Sequence, residues 1–319
     1  MLNKNSRIFL AGHNGMVGSA VLRKLRELNY KKIFFVSRKK LDLTDQTKVS
    51  NYFKKIKPHG VILAAAKVGG IKANNEQKAD FIYENLSIQN NVINSSFQNG
   101  VKNLIFLGSS CVYPKQSKIP IKEDHLLSGY LEKTNEPYAI AKIAGIKLCE
   151  SYNYQYGLNY KCLMPCNAYG LNDNYDLNNS HFFPALIVKI INSIRTNKDC
   201  IELWGSGKPL RELIFSDDIA DACIYFINKK TKHSLINIGT GIEKSISDYA
   251  KFIMKHLGVK LKLKYKNIKL DGTYRKLMDS SLARKYGWKY RTGLEKGITL
   301  TINDYLKKQI FKKDQILNN

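Results

Sequence analysis

The sequence has no long hydrophobic run and no closely paired cysteines. No segment reaches the roughly eighteen apolar residues that a membrane-spanning helix needs. The N-terminal segment lacks the apolar core and the small-residue cleavage site of a secretion signal. Six cysteines lie at scattered positions, and no Cys-x-x-Cys spacing occurs. We therefore expect reduced thiols, no metal site, no membrane association and a cytoplasmic location.

Acidic residues are also scarce. Asp and Glu number 26 against 52 Lys and Arg, which leaves a formal net charge of +26. An excess of this size is typical of nucleic-acid-binding proteins. Here the lysines are spread along the chain, and no basic motif is interleaved with aromatic residues as in RNA-binding modules. The sequence therefore predicts no nucleic-acid partner, whereas anionic small molecules remain compatible with the charge.

Short apolar runs alternate with segments of helical periodicity in the first half of the chain. Residues 61–64 and 104–107 are apolar throughout, as strands covered on both faces of a parallel sheet must be. The alternation predicts an α/β fold, with a Rossmann-type doubly wound parallel sheet over residues 1–168. Residues 169–319 are less regular and predict a smaller mixed α/β region that mainly binds substrate and can return segments to the first domain.

A glycine-rich turn follows the first predicted strand at once and leads into a helix. The turn consists of Gly12, His13, Asn14, Gly15, Met16, Val17 and Gly18. Its glycines permit a tight turn and let backbone N–H groups at a helix N-terminus approach a pyrophosphate. Because strand, glycines and helix occur in this order, the segment predicts a dinucleotide-binding site.

The second predicted strand ends in cations where an NAD site would place an acidic residue. The guanidinium of Arg38 can bind a ribose 2′-phosphate with its planar fork, which favours NADP(H) as the cofactor. The alternative is a solvated loop charge. Asp42 and Leu43, after the next turn, are expected to close over the adenine.

Tyr138 and Lys142 lie four residues apart at the start of a predicted helix, so the phenol and the ammonium share one face. A neighbouring ammonium favours the phenolate, and we expect it to bring the tyrosine pKa from about 10 toward neutral pH. Ser109 follows a strand, at the edge where α/β sheets bind ligands. Together these residues predict a reductase site. The alternative is a capping serine with a surface aromatic residue.

Longer segments carry a resemblance to a known family. They are residues 11–20, 63–71, 107–111, 134–145, 149–152, 179–181, 204–207 and 271–273. In these segments the chain resembles the extended short-chain dehydrogenase/reductase family, and in particular its GDP-4-keto-6-deoxymannose epimerase-reductases, the GDP-L-fucose synthases. The resemblance covers nearly the whole chain. It implies a GDP-sugar substrate and a homodimer formed through helices at about 80–98 and 136–156.

The resemblance also assigns roles to individual residues. Cys111 and His181 match the base and acid that act at C3 and C5 of the sugar. Ser109 and Tyr138 match the groups that hold the enolate oxygen, and Tyr138 then gives a proton to the C4 oxygen while Lys142 grips the ribose. The cofactor set further includes Ala65, Pro165, Asn167 and His181. The substrate set is Lys189, Trp204, Arg211 and Asp271.

Residues 165–174 depart from the family pattern. Where the family tends to read Pro-Thr-Asn-Leu-Tyr-Gly-Pro-His-Asp-Asn, this chain has Pro-Cys-Asn-Ala-Tyr-Gly-Leu-Asn-Asp-Asn. Ala168 replaces leucine and opens space near the sugar, Asn172 cannot titrate, and Lys189 replaces an arginine without its bidentate geometry.

Three hypotheses therefore stay open. The first is an epimerase-reductase of GDP-4-keto-6-deoxymannose. The second is a C4 reductase of a related GDP-4-keto sugar, such as a GDP-4-keto-heptose that another enzyme epimerises. The third is a non-enzymatic dinucleotide-sensing or nucleic-acid-binding protein.

Overall fold

A computed structural model of the chain describes residues 2–177, 179–266 and 273–317. The strands are β1 (Arg7–Ala11), β2 (Lys32–Phe34), β3 (Gly60–Leu63), β4 (Asn103–Leu107), β5 (Asn159–Pro165), β6 (Asn167–Tyr169), β7 (Cys200–Trp204), β8 (Leu210–Phe215), β9 (Leu235–Ile238), β10 (Glu243–Ser245), β11 (Lys262–Lys266) and β12 (Arg275–Lys276). The helices are α1 (Met16–Glu27), α2 (Gln46–Ile56), α3 (Ile71–Glu76), α4 (Lys78–Gln98), α5 (Glu136–Tyr156), α6 (Phe182–Arg195), α7 (Ser216–Asn228), α8 (Ile246–His256), α9 (Ser281–Lys285) and α10 (Leu294–Leu317). Across these ranges no helix combines the length and apolar character needed to cross a bilayer.

Six parallel strands form the main sheet in the order β2-β1-β3-β4-β5-β9. The apolar residues of β1, β3 and β4 are buried because helices cover both faces of the sheet. Helix α1 packs beside α7, and α4 packs beside α5 and α2. The predicted Rossmann-type doubly wound sheet is therefore confirmed.

The strand order reverses next to β1, because β2 lies on one side of it and β3 on the other. At such a switch point the connections leave in opposite directions and open a crevice beyond the carboxyl ends of the strands. The loops that follow β1 and β3 meet there, and Ala64 donates its backbone N–H to the carbonyl of Ala11 over 3.0 Å. The topology places the ligand crevice at this edge.

The second half of the chain contributes to both parts of the molecule. Strand β9 and helix α7 join the main sheet and its helical layer. A second sheet contains β10-β8-β12, with β6 also paired to β8, while β7 pairs with β11. Apolar residues of α6, α8, α10 and these strands form a separate core cluster. This smaller mixed α/β region matches the predicted fold class.

A buried carboxylate ties the strands of the second sheet to the segments beside them. Glu212 on β8 accepts the backbone N–H of Gly241 over 2.7 Å and that of Met278 over 2.8 Å. Its side chain is enclosed, and burial raises the pKa of its carboxyl group while these hydrogen bonds act in the opposite direction. Glu212 thereby fixes the residues that follow β12 against β8.

Candidate active site

The glycine-rich turn lies against the loop after β3. Gly12 has φ +91°, and a Cβ at this position would lie 2.5 Å from the backbone nitrogen of Ala65. A Cβ on Gly18 would lie 1.9 Å from the Gly12 carbonyl oxygen. Only glycine therefore allows the turn and the first turn of α1 to come this close. Gly15 is the residue before α1, and that helix has no acidic residue in its first turn, so its N-terminus favours an anion.

The other residues of the predicted cofactor turn surround this helix start. Asn14 is exposed, whereas Met16 and Val17 are half-buried at the beginning of α1. The His13 ring packs against Phe35 with centroids 4.7 Å apart, and burial lowers the pKa of the imidazole. His13 is therefore neutral at pH 7 and leaves the backbone N–H groups as the anion donors of the turn.

Arg38 lies in a turn beyond β2, which ends at Phe34. The Arg38 side chain is 67% exposed and forms ion pairs with Asp42 over 3.5 Å and with Glu84 over 3.2 Å. Asp42 accepts hydrogen bonds from the backbone and hydroxyl of Thr44, which lower the pKa of its carboxyl group. The guanidinium is thus held at the end of β2 and is open to solvent.

Leu43 is half-buried and packs against the main core. Its backbone carbonyl accepts a hydrogen bond from the Asn91 side-chain amide on α4 over 2.9 Å. This contact fixes the segment after Asp42 against α4. The pair Asp42–Leu43 therefore has a defined position next to Arg38, as a segment that borders an adenine must have.

Ser109, Cys111 and Tyr138 come together at the carboxyl end of β4. The Cys111 N–H donates to the Ser109 hydroxyl over 3.3 Å, and the same hydroxyl hydrogen-bonds to the Tyr138 phenol. The Tyr138 side chain is half-buried, with solvent on one side and protein on its other sides. It therefore lies on the wall of a cleft. A carbonyl oxygen placed in this cleft would meet two hydroxyl donors.

We predicted that Lys142 lowers the pKa of Tyr138 toward neutral pH, and this prediction is wrong. Burial raises the pKa of Tyr138, the nearby Cys111 adds to the rise, and only the hydrogen bond with Ser109 opposes it. The Lys142 Nζ lies 5.9 Å from the Tyr138 ring centroid and donates to the Leu107 carbonyl over 2.9 Å. Tyr138 therefore holds its proton at neutral pH, which suits a proton donor in reduction.

Lys142 is buried, with 3% of its surface exposed. Its Nζ lies 4.6 Å from the centroid of the Phe106 ring, and burial lowers the pKa of the ammonium to about 8. Within the described residues Lys142 forms no ion pair with a carboxylate, and its Nζ donates to the Leu107 carbonyl. Lys142 is thus a cation kept under the crevice with one backbone acceptor, and two of its three N–H donors are left for another group.

Cys111 has a partner that the sequence did not reveal. The Lys276 Nζ lies 3.7 Å from the Cys111 Sγ, and both side chains are half-buried. Lys276 belongs to β12 in the second sheet, so the contact joins the two halves of the molecule at the cleft. The only sequence signal was a position close to the Asp271-Gly272-Thr273 motif, which is too weak to assign the contact.

His181 directly precedes α6. Like Tyr138, the His181 side chain contacts solvent on one side and has protein on its other sides. This partial burial lowers the pKa of the imidazole. Gly70 donates its N–H to the Asn179 carbonyl over 3.3 Å, which connects the segment before α6 to the loop after β3. His181 is therefore a cleft residue in its neutral form at pH 7.

Two of the predicted substrate residues lie side by side. The Lys189 Nζ lies 5.1 Å from the centroid of the Trp204 ring and donates to the Glu202 carbonyl over 2.8 Å. Burial lowers the pKa of Lys189, while Trp204 is 54% exposed. Arg211 lies on β8 in the second sheet, and its guanidinium donates to the Leu210 carbonyl. Asp271 lies outside the described residues.

The remaining predicted residues follow the fifth strand. Pro165 ends β5, and Asn167 on β6 donates its side-chain amide to the Glu212 carbonyl over 2.9 Å. Ala168 is half-buried and pairs with Ile214. The Asn172 side chain donates to the Ser19 hydroxyl on α1 over 3.0 Å, so this position connects the loop after β6 to the cofactor helix.

Comparison with known proteins identifies the family. Residues 8–239 match the NAD dependent epimerase/dehydratase family. The chain belongs to this family. The match includes the glycine-rich turn, the strand-end serine and the Tyr-x-x-x-Lys pair, so the family resemblance seen in the sequence is confirmed.

Individual relatives are similar over nearly their whole length. "Putative GDP-L-fucose synthase 2" of Arabidopsis thaliana is 47% identical over 98% of this chain and 95% of that protein. GDP-L-fucose synthase of Escherichia coli (strain K12) is 45% identical over 95% of this chain and 97% of that protein. A solved GDP-mannoheptose C4 reductase from Campylobacter jejuni with NADP bound shares 38% identity, with a TM-score of 0.87 over 96% of this chain and 99% of that one.

The buried charge of Lys142 leads to a stability prediction. Below pH 8 the folded protein keeps an ammonium that is costly to bury, and the cost disappears as the pH rises from about 8 to the unfolded value of 10.5. We expect Lys142→Met to raise the free energy of unfolding at pH 7 by roughly 1–2 kcal/mol and to lose this advantage by about pH 10.

Urea unfolding of the two proteins at pH 7 and pH 10 checks this, with NADPH affinity measured in parallel. Lys147→Met on the same helix serves as the control, because Lys147 is exposed and pairs only with Glu150. A Lys142→Met protein less stable than the wild type at pH 7 would contradict the prediction.

Proposed function

We propose that this protein catalyses the NADPH-dependent 3,5-epimerisation and 4-reduction of GDP-4-keto-6-deoxy-D-mannose, the activity of a GDP-L-fucose synthase. The convergence of Ser109, Cys111 and Tyr138 at the end of β4 carries the proposal. It brings a thiol and two hydroxyl groups to one point of a cleft next to a dinucleotide crevice. The relatives at 45–47% identity support the choice of substrate.

The three side chains fit the chemistry of a C4 ketone. Protons on C3 and C5 are acidic because both carbons flank the carbonyl group. The Ser109 and Tyr138 hydroxyls can hold the oxygen on which charge develops, while Cys111 removes a proton from one face and His181 returns one to the other. When bound, NADPH supplies a hydride to C4. Tyr138, whose raised pKa keeps it protonated, gives the C4 oxygen its proton.

The residues at the switch point fit the cofactor. Glycine at position 12 lets the turn pack against the loop after β3. The N–H groups at the start of α1 can then bind a pyrophosphate. Exposed Arg38 offers its guanidinium to a 2′-phosphate, and the two free donors of Lys142 face a ribose. Ala65 follows β3, Pro165 ends β5 and Asn167 begins β6, and we assign these three residues to the nicotinamide side.

The second half of the chain is assigned to the GDP-sugar. We place the dinucleotide on residues 1–168 and the sugar nucleotide mainly on residues 169–319. Trp204 is exposed enough to stack on the guanine, with Lys189 and Arg211 directed at the diphosphate. Asp271 stays in this set by its motif alone. All six cysteines are free thiols. We propose a cytoplasmic location, where thiols stay reduced.

A C4 reductase that acts on a GDP-4-keto-heptose is the second candidate. It is favoured by the small side chain of Ala168, which lies next to Asn167 on β6 near the cleft. The Campylobacter jejuni C4 reductase gives it further support. In this alternative Cys111 and His181 bind the sugar and transfer no proton.

Cofactor preference tests the role of Arg38. We expect the protein to use NADPH with a higher kcat/KM than NADH. Loss of one charged hydrogen bond in Arg38→Ala should remove roughly 1.5–3 kcal/mol of that preference. Steady-state kinetics with both cofactors checks this, and Lys40→Ala, in the same exposed turn, is the matched control. Equal use of both cofactors by the unmodified protein would refute the assignment.

Isotope exchange tests the epimerisation. Incubation with GDP-4-keto-6-deoxy-D-mannose and NADPH in D2O should place deuterium at C3 and C5 of the product, as NMR will show. We expect Cys111→Ser to stop this exchange and to retain reduction at C4, because a serine hydroxyl is a far weaker base. Tyr138→Phe, which lacks the donor, should lose at least about 90% of the reduction.

A product without deuterium would distinguish the C4 reductase from the epimerase-reductase. Reduction of the ketone by the wild type with no deuterium at either carbon would refute the epimerase-reductase. The same measurement with a GDP-4-keto-heptose would then test the C4 reductase directly.

We also propose that the protein is a homodimer. The adjacent helices α4 and α5 form a groove whose lining includes Tyr83, Asn94, Leu148 and Tyr152, and Tyr83 is 70% exposed. A second copy would cover this mixed polar and aromatic surface with the same two helices. Static light scattering should give about 73 kDa, twice 36.4 kDa.

Introducing a charge tests the dimer. Tyr83→Glu should shift the equilibrium toward the monomer, whereas Tyr130→Glu, at a 94% exposed position outside both helices, should leave it unchanged. A monomeric wild type at micromolar concentration would refute the dimer.

A further inference from the structure

We propose that Lys276 is a positioning residue for proton transfer, whose ammonium stabilises the Cys111 thiolate. The observation is the 3.7 Å approach of its Nζ to the Cys111 Sγ. The proposal deepens the proposed function and rests on it for its catalytic meaning. The contact between Lys276 and Cys111 exists in the free protein, so it can be tested without substrate.

The second sheet directs Lys276 toward the cysteine. In the register of this sheet Arg211 lies between Lys244 and Lys276. Directly paired residues on neighbouring strands share a face, so three cationic side chains lie on one face of the sheet. Lys276 is the member of this row at the β12 edge, and this edge faces the end of β4.

Contacts on either side of Lys276 hold this segment in place. Arg275 points to the opposite face and forms an ion pair with Glu243 over 2.6 Å. Two residues after Lys276, the Met278 N–H donates to buried Glu212. The alternation along β12 therefore leaves Lys276 directed at Cys111, and the anchors on each side limit its movement.

The charges around Cys111 favour an anion. A free cysteine is only a few per cent thiolate at pH 7, and a neighbouring ammonium increases that fraction. The charged or titratable groups next to the sulfur are the Tyr138 phenol and Lys276. The raised pKa of Tyr138 keeps that phenol neutral, so it does not oppose the negative charge.

The thiolate then performs a balanced proton transfer. The sulfur takes a proton from a carbon next to the C4 ketone, and the electron pair of the C–H bond moves onto the C4 oxygen. His181, whose neutral imidazole first takes a proton from solvent, delivers that proton to the other face of the carbon as the electron pair returns, and it ends neutral. Cys111 has gained one proton, and exchange with solvent removes it. Hydride transfer to C4 does not involve the cysteine.

Alkylation of the free protein tests the thiolate without any substrate. The experiment uses a Cys200→Ser background, because Cys200 is the other half-exposed cysteine while the remaining four are buried. The iodoacetamide reaction of Cys111 is followed by mass spectrometry from about pH 5.5 to 9.5. We expect Lys276→Met to slow it at pH 7 by roughly tenfold and to move its midpoint to higher pH, as loss of a neighbouring cation does.

Two variants separate a charge effect from a structural one. Lys276→Arg keeps the cation and should restore most of the alkylation rate. Lys244→Met removes a lysine from the same row, two strands from Lys276, and should leave the rate unchanged. An alkylation profile of Lys276→Met identical to that of the background protein would overturn the proposal, whatever the substrate of the enzyme is.

Deuterium exchange connects the thiolate to catalysis. With GDP-4-keto-6-deoxy-D-mannose in D2O, Lys276→Met should slow label entry at C3 and C5 by roughly tenfold while reduction at C4 persists. A variant with a raised KM, unchanged exchange at saturation and unchanged alkylation would make Lys276 a substrate-binding cation and overturn the proposal. The alkylation of Cys111 could depend on Lys276 while the wild type incorporates no deuterium from solvent. This result would refute the epimerase function and would support the role of Lys276 in stabilising the Cys111 thiolate.

Discussion

Parallel strands all end at the same edge of their sheet, and the candidate site depends on this constraint. The sheet is apolar and covered on both faces, so the first polar groups after each strand have only that edge to occupy. Gly12 follows β1, Ala65 follows β3, Ser109 follows β4 and Asn167 follows β5. A cofactor cradle and a set of hydroxyl groups arise in this way from segments far apart in the chain.

Besides the groups at this edge, the site contains charged side chains whose burial lowers the free energy of unfolding. Lys142 lies under the crevice with one backbone acceptor, and Glu212 is enclosed beneath the second sheet, with backbone N–H groups as partners. Each charge reduces stability where it lies, and each holds a part of the cleft in position. The first half of the chain supplies Cys111 and the second supplies Lys276, so the cleft is complete only where the two sheets meet.

The sequence predicted the fold and the convergence of Ser109, Cys111 and Tyr138 better than it predicted their electrostatics. A strand, a glycine turn and a helix in immediate succession are local features, and so is the spacing of Tyr138 and Lys142. The contact between Lys276 and Cys111 joins residues 165 positions apart, and no local pattern encodes it. The direction of the Tyr138 pKa was wrong because spacing shows that two residues share a helix face, whereas desolvation depends on the packing of the whole cleft.

The position of β9 has a consequence for how the chain is made. This sixth strand and helix α7 are synthesised some 50 residues or more after β5, although they cover its edge and the face of α1. A nascent chain that ends near residue 200 therefore carries an unpaired strand edge and an apolar helix face. Exposed edges of this kind recruit other chains, so the ribosome-bound intermediate is the form of this protein most dependent on chaperones.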